Sequence, residues 1–227
     1  MKKLLFSLTL FSSLTLSSAE YRTEAAHNHH DPHTMETFTQ ESSEYIHPDT
    51  VQGDYLTVRG MEITGFSGES LDKLQDAFAV LEVVMNSEEF KERVLNFKNS
   101  KGERAFASNK GLSNEEIYAL LMEGREDLQP ETQGEMNFFL KLYNRPWSSV
   151  VGYTTPDTNL ININWKFFKG FGAHQVAGNL AHEWTHKMGY GHRSAKEHDS
   201  VPYAVGNIVR ELAQQQLKTR KFNNLVH

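Results

Sequence analysis

Apolar residues recur at three- and four-residue steps early in the chain. Leu71, Leu74, Phe78, Leu81 and Val84 share one face of a helix, within a helical stretch over residues 71–97. Asn86-Ser87 followed by Glu88-Glu89 predicts a break into two helices, because a serine ahead of acidic residues is a helix-start signal. Ser113 with Glu116 three residues later is a capping box and opens a helix that runs to about Gly124. Val176, Leu180, Trp184 and Met188 lie four apart, flanked by Ala177 and Ala181, and predict a helix over 173–188 with one apolar side. Val205, Ile208, Val209 and Leu212 mark a last helix within 201–217. Residues 55–66, 137–143, 148–154 and 159–164 read as short strands, with Pro146 and Pro156 at turns between them. Strands and helices in this mixed order predict an α+β domain, with helices packed on one small, twisted, mixed sheet.

The N-terminal residues follow another pattern. Lys2 and Lys3 precede a short apolar stretch, and Ser17-Ser18-Ala19 offers small residues for cleavage, so residues 1–19 are expected to be a signal peptide. The stretch is too short for a permanent membrane anchor, and a secreted or periplasmic location follows. Residues 20–50 are polar and poor in aliphatic side chains, as in a flexible linker or propeptide, and carry His27, His29, His30 and His33. The folded domain is expected over 51–227. The chain has no cysteine, which excludes disulfides, thiolate metal sites and a cysteine nucleophile. A formal net charge of -6 gives no support for a nucleic-acid partner.

Chemistry concentrates in His182-Glu183-Trp184-Thr185-His186-Lys187-Met188-Gly189-Tyr190-Gly191-His192. On a helix, His182 and His186 are one turn apart and can direct two imidazoles at one point. A catalytic zinc site needs three protein ligands and one open position. Gly189 can end the helix with φ > 0, Gly191 offers a second joint, and His192 can return as third ligand. Glu183 lies about 100° around the helix from His182, placed to accept a proton from a metal-activated water.

This stretch resembles the long zinc-binding signature, HExxHxxGxxH, of metzincin metallopeptidases. The resemblance covers residues 181–192 firmly and the flanking segments weakly. It implies a zincin-like fold, one catalytic Zn2+ on His182, His186 and His192, Glu183 as general base, and a peptide or protein substrate. It also implies an edge strand that binds the substrate in extended form, for which residues 159–164 are the candidate. One departure is plain: metzincins carry a methionine in a tight turn downstream, and no methionine follows Met188. Residues 199–203 lie at a plausible distance, with Pro202 favouring a turn, and Val201 or Ala204 could supply the apolar floor. Tyr203 resembles the tyrosine that some metzincins place near the metal. The nearest rival is a gluzincin-type peptidase with Glu211 as third ligand. A more distant one is a zinc-containing binding protein without turnover.

Overall fold

The computed structural model describes residues 55–130, 134–155 and 157–225. The expected signal peptide and the 20–50 segment lie outside the described residues. The elements in chain order are β1 (Thr57–Thr64), α1 (Glu69–Met85), α2 (Glu88–Leu95), α3 (Asn114–Glu123), β2 (Glu135–Tyr143), β3 (Gly152–Thr154), β4 (Leu160–Asn164), α4 (Trp165–Phe168), α5 (Ala173–Lys187) and α6 (Val201–Leu225). Among the described residues this is a mixed architecture: six helices and one four-stranded sheet.

Local signals act where they were expected. Ser87 caps α2, its side chain accepting from the Phe90 amide. Ser113 and Glu116 form the reciprocal capping box of α3, which ends at Gly124 in the left-handed region. Pro202 departs from expectation. It lies in the first turn of α6 rather than in a free turn, a position where its missing N–H costs no helical hydrogen bond. Val201 and Ala204 are buried beside it.

The sheet runs in the order β1-β2-β4-β3. β1, β2 and β4 are parallel, and β3 is antiparallel to β4. The expectation of an edge strand at 159–164 is therefore corrected. β4 is an interior strand, hydrogen-bonded on both sides, with Ile161 and Ile163 buried. The edge on this side of the sheet is β3, shorter than the 148–154 stretch predicted.

α5 packs against α1, α6 and β3. Its apolar stripe, Val176, Leu180, Trp184 and Met188, is buried as its spacing predicts. A fully buried large apolar side chain contributes roughly 1.5–3 kcal/mol, so this face holds the helix firmly. Buried polar bonds fix its rotation. Lys187 Nζ lies 2.7 Å from Glu126 Oε2 and donates to the Asn137 carbonyl of β2 at 2.7 Å, while Trp184 Nε1 donates to Glu126 Oε1 at 3.0 Å.

α5 and α6 approach closely through two glycines. A Cβ on Gly178 would lie 2.7 Å from the Gly206 carbonyl oxygen, and one on Gly206 would lie 2.7 Å from that of Gly178 and 3.0 Å from His182 Cβ. The contacts run in opposite order along the two helices, so they cross antiparallel. This seam brings the start of α6 over the histidine face of α5.

Candidate metal centre

His182 and His186 occupy successive turns of α5, and their Nε2 atoms are 3.3 Å apart. The helix then stops in a Schellman arrangement: the Gly189 amide donates to the His186 carbonyl at 2.9 Å and the Tyr190 amide to the Thr185 carbonyl at 3.1 Å. Gly189 has φ 77°, and a Cβ there would collide with the Asp127 carboxylate at 2.3 Å. Gly191, the expected second joint, does not need to be glycine: its φ is not positive and a Cβ would meet nothing. The reversal carries His192 back over the helix. Ligand atoms of His182, His186 and His192 all lie within 4.8 Å of one another.

Each helical imidazole is oriented from behind. His186 Nδ1 lies 2.8 Å from the Tyr190 carbonyl oxygen, which the Schellman turn delivers, and His182 is hydrogen-bonded to the Pro202 carbonyl. A ring nitrogen facing a carbonyl must carry the proton, so the opposite nitrogen presents its lone pair to the centre. Burial favours the neutral form of both rings. His182 is pushed down to about 3 by burial, then by His186 and His192, and His186 is lowered chiefly by burial. The set fits a metal ion. Two nitrogens bound at about 2.0–2.1 Å with tetrahedral angles sit about 3.3–3.4 Å apart, the separation that His182 and His186 already hold.

Glu183 is 4% exposed and lies against β3. Burial raises its carboxyl to about 8, against the opposing hydrogen bonds from the Asn179 side chain and the Thr154 amide. A Cβ on Gly152 would come within 3.1 Å of both Glu183 Oε1 and Asn179 Oδ1, so the strand leaves space for the pair. A cation on the histidines acts in the opposite direction from burial and favours the carboxylate.

Tyr203, in the first turn of α6, packs its ring 4.6 Å from that of His182 and 4.7 Å from that of His192. Burial and then the Glu183 charge raise its hydroxyl above the usual phenol value. All five residues singled out in the sequence, His182, Glu183, His186, His192 and Tyr203, therefore line one cleft of about 550 Å³, with β3 along one wall. Glu211 does not join them. Its carboxylate pairs with Arg93 of α2 at 2.5 Å, beside a separate cavity of about 490 Å³.

Sequence reasoning missed Asn179 and the Thr154 amide, which hydrogen-bond Glu183, and Gly152, which leaves room for it. Asn179 alone left a signal, one helical turn before Glu183. The other two depend on where β3 lies. The chain matches no protein-family model, and a search of curated proteins returned no match.

Proposed function

We propose that this protein is a zinc-dependent endopeptidase of metzincin type, with a zincin-like fold and a secreted or periplasmic place of action. The observation that carries this is the convergence of three imidazoles beside the buried Glu183 carboxyl group, in a cleft walled by an edge strand.

His182, His186 and His192 would hold the zinc. When bound, zinc supplies Lewis acidity, lowering the pKa of water toward 7 and polarising a carbonyl. The outer edge of β3 can pair with an extended peptide, backbone to backbone, and so lay a peptide bond across the histidines. Glu183 accepts a proton from the attacking water as its oxygen bonds to the carbonyl carbon. It then delivers that proton to the leaving nitrogen as the C–N bond breaks. Asn179 and the Thr154 amide hold the carboxylate in place for both transfers. Tyr203 donates its hydroxyl proton in a hydrogen bond to the carbonyl oxygen as negative charge develops there.

Zinc content and cleavage of a mixed peptide library, compared between the protein and Glu183→Gln, test this. The expected result is stoichiometric zinc in both, chelator-sensitive cleavage by the wild type, and a loss of roughly 10²–10⁴-fold in the variant. Failure of both proteins to hold zinc would overturn the proposal.

A further inference from the structure

The cleft continues past the histidines, between α5 and α6, to Phe171, Gln175 and Arg210. Arg210 is rooted on the glycine seam: a Cβ on Gly178 would lie only 2.7 Å from Arg210 Cβ. Gly178 precedes His182 by four residues, so this root lies one helical turn, about 6 Å, along α5 from the metal-binding ring. An extended peptide rises about 3.3 Å per residue, which puts Arg210 within one or two substrate residues of the reacting carbonyl.

The charge at this end is uncompensated. No ion pair joins Arg210 to another described residue. The residues between 158 and 182 that line the cleft here, Phe171, Gln175, Gly178, Asn179 and His182, include no acid. Glu183 is the sole acid among the described residues lining the cleft. His174, one turn before Gly178, is lowered by burial and then by the charges of Arg210 and Lys218, so a second cation lies nearby. A chain with a formal net charge of -6 thus presents, at one end of its cleft, an exposed cation with no ion pair to a described residue.

We propose that this end of the cleft is a carboxylate-binding subsite, with Arg210 as its specificity-determining residue. Resting on the peptidase proposal, this names the substrate class: peptides with an acidic side chain, or a free C-terminal carboxylate, one or two residues from the scissile bond. A guanidinium offers a planar fork that matches a carboxylate with two parallel hydrogen bonds.

The test measures binding and cleavage separately. Binding is followed by calorimetry with the zinc-loaded, full-length Glu183→Gln protein. The probes are blocked hexapeptides carrying glutamate at each position in turn, their glutamine counterparts, and the glutamine peptides with a free C-terminus. One glutamate position, or the free terminus, should bind roughly tenfold more tightly than the neutral peptide, and which of the two does so identifies the source of the carboxylate. Adding Arg210→Ala should remove the difference, and Arg210→Lys should keep part of it, which a merely misfolded variant would not. Equal binding of charged and neutral peptides, or a preference that survives Arg210→Ala, overturns the subsite. Cleavage of a mixed library by the wild type is scored for acidic residues beside the cut. Cleavage without that enrichment overturns the Arg210 assignment and leaves the peptidase proposal standing. Arg210-dependent carboxylate binding without any cleavage supports the subsite and overturns the peptidase proposal.

Discussion

Single side chains at the candidate metal centre divide into those that could hold an ion and those that orient them. His182, His186 and His192 present the nitrogens, while the Tyr190 and Pro202 carbonyls set ring orientation. His192 and Glu211 are the two candidates for third ligand that local sequence leaves open, and geometry separates them. His192→Ala should lose the bound metal, measured by elemental analysis after dialysis, while Glu211→Ala should retain it, because that carboxylate is committed to Arg93. Metal loss in Glu211→Ala with retention in His192→Ala would reverse the assignment. Tyr55 sets a different test, far from the metal centre. Its hydroxyl donates to Glu82 Oε1 at 2.9 Å, and its pKa is raised by burial first, then by the Glu82 carboxylate. The folded phenol keeps its proton where the unfolded one, near 10, releases it. Its contribution is therefore complete below about pH 10 and is lost as pH rises beyond that value. Denaturation midpoints between pH 9 and 11, on the order of that window, should fall less steeply in Tyr55→Phe than in the wild type.

Among the elements, the α5–α6 crossing governs the site. Its two glycines let the helices touch backbone to backbone, which sets Tyr203 over His182 and roots Arg210 one turn away. Gly206→Ala places a methyl 2.7 Å from the Gly178 carbonyl oxygen and 3.0 Å from His182 Cβ. Overpacking of this kind costs about 1–3 kcal/mol, so its urea midpoint should drop and its metal affinity should weaken. An unchanged midpoint would mean that the helices part without cost. The helix ends were legible in the sequence because capping is a short-range matter: Ser87, Ser113, Gly124 and Gly189 act on backbone groups within a few residues. The edge strand was not legible. Residues 148–154 and 159–164 both carry strand-forming residues, and which of them keeps an open edge depends on pairing with β2, which is remote in sequence.

In the whole molecule, metal binding by the proposed site would be linked to folding. The three histidines come from two turns of α5 and the loop after it, and α6 closes over them, so an ion held there would bind the folded chain and find no comparable site in the unfolded one. Zinc at about a hundredfold over its dissociation constant should stabilise the protein by about 2.7 kcal/mol. The melting temperature should rise on adding zinc, fall on chelation, and stay fixed in His192→Ala. A zinc-dependent rise that persists in that variant would place the ion elsewhere. No helix among the described residues is long and apolar enough to cross a membrane. By itself, the sequence determined the helix that carries the first two histidines, its buried stripe and the turn that returns the third, because helical periodicity and a glycine stop act within about a dozen residues. Only the tertiary structure decided that β3 rather than β4 walls the cleft, that Glu211 faces Arg93, that Lys187 and Glu126 pair in the interior, and that Arg210 lines the histidine cleft with no ion pair to a described residue. Each of those depends on partners distant along the chain, and packing, not local preference, chooses them.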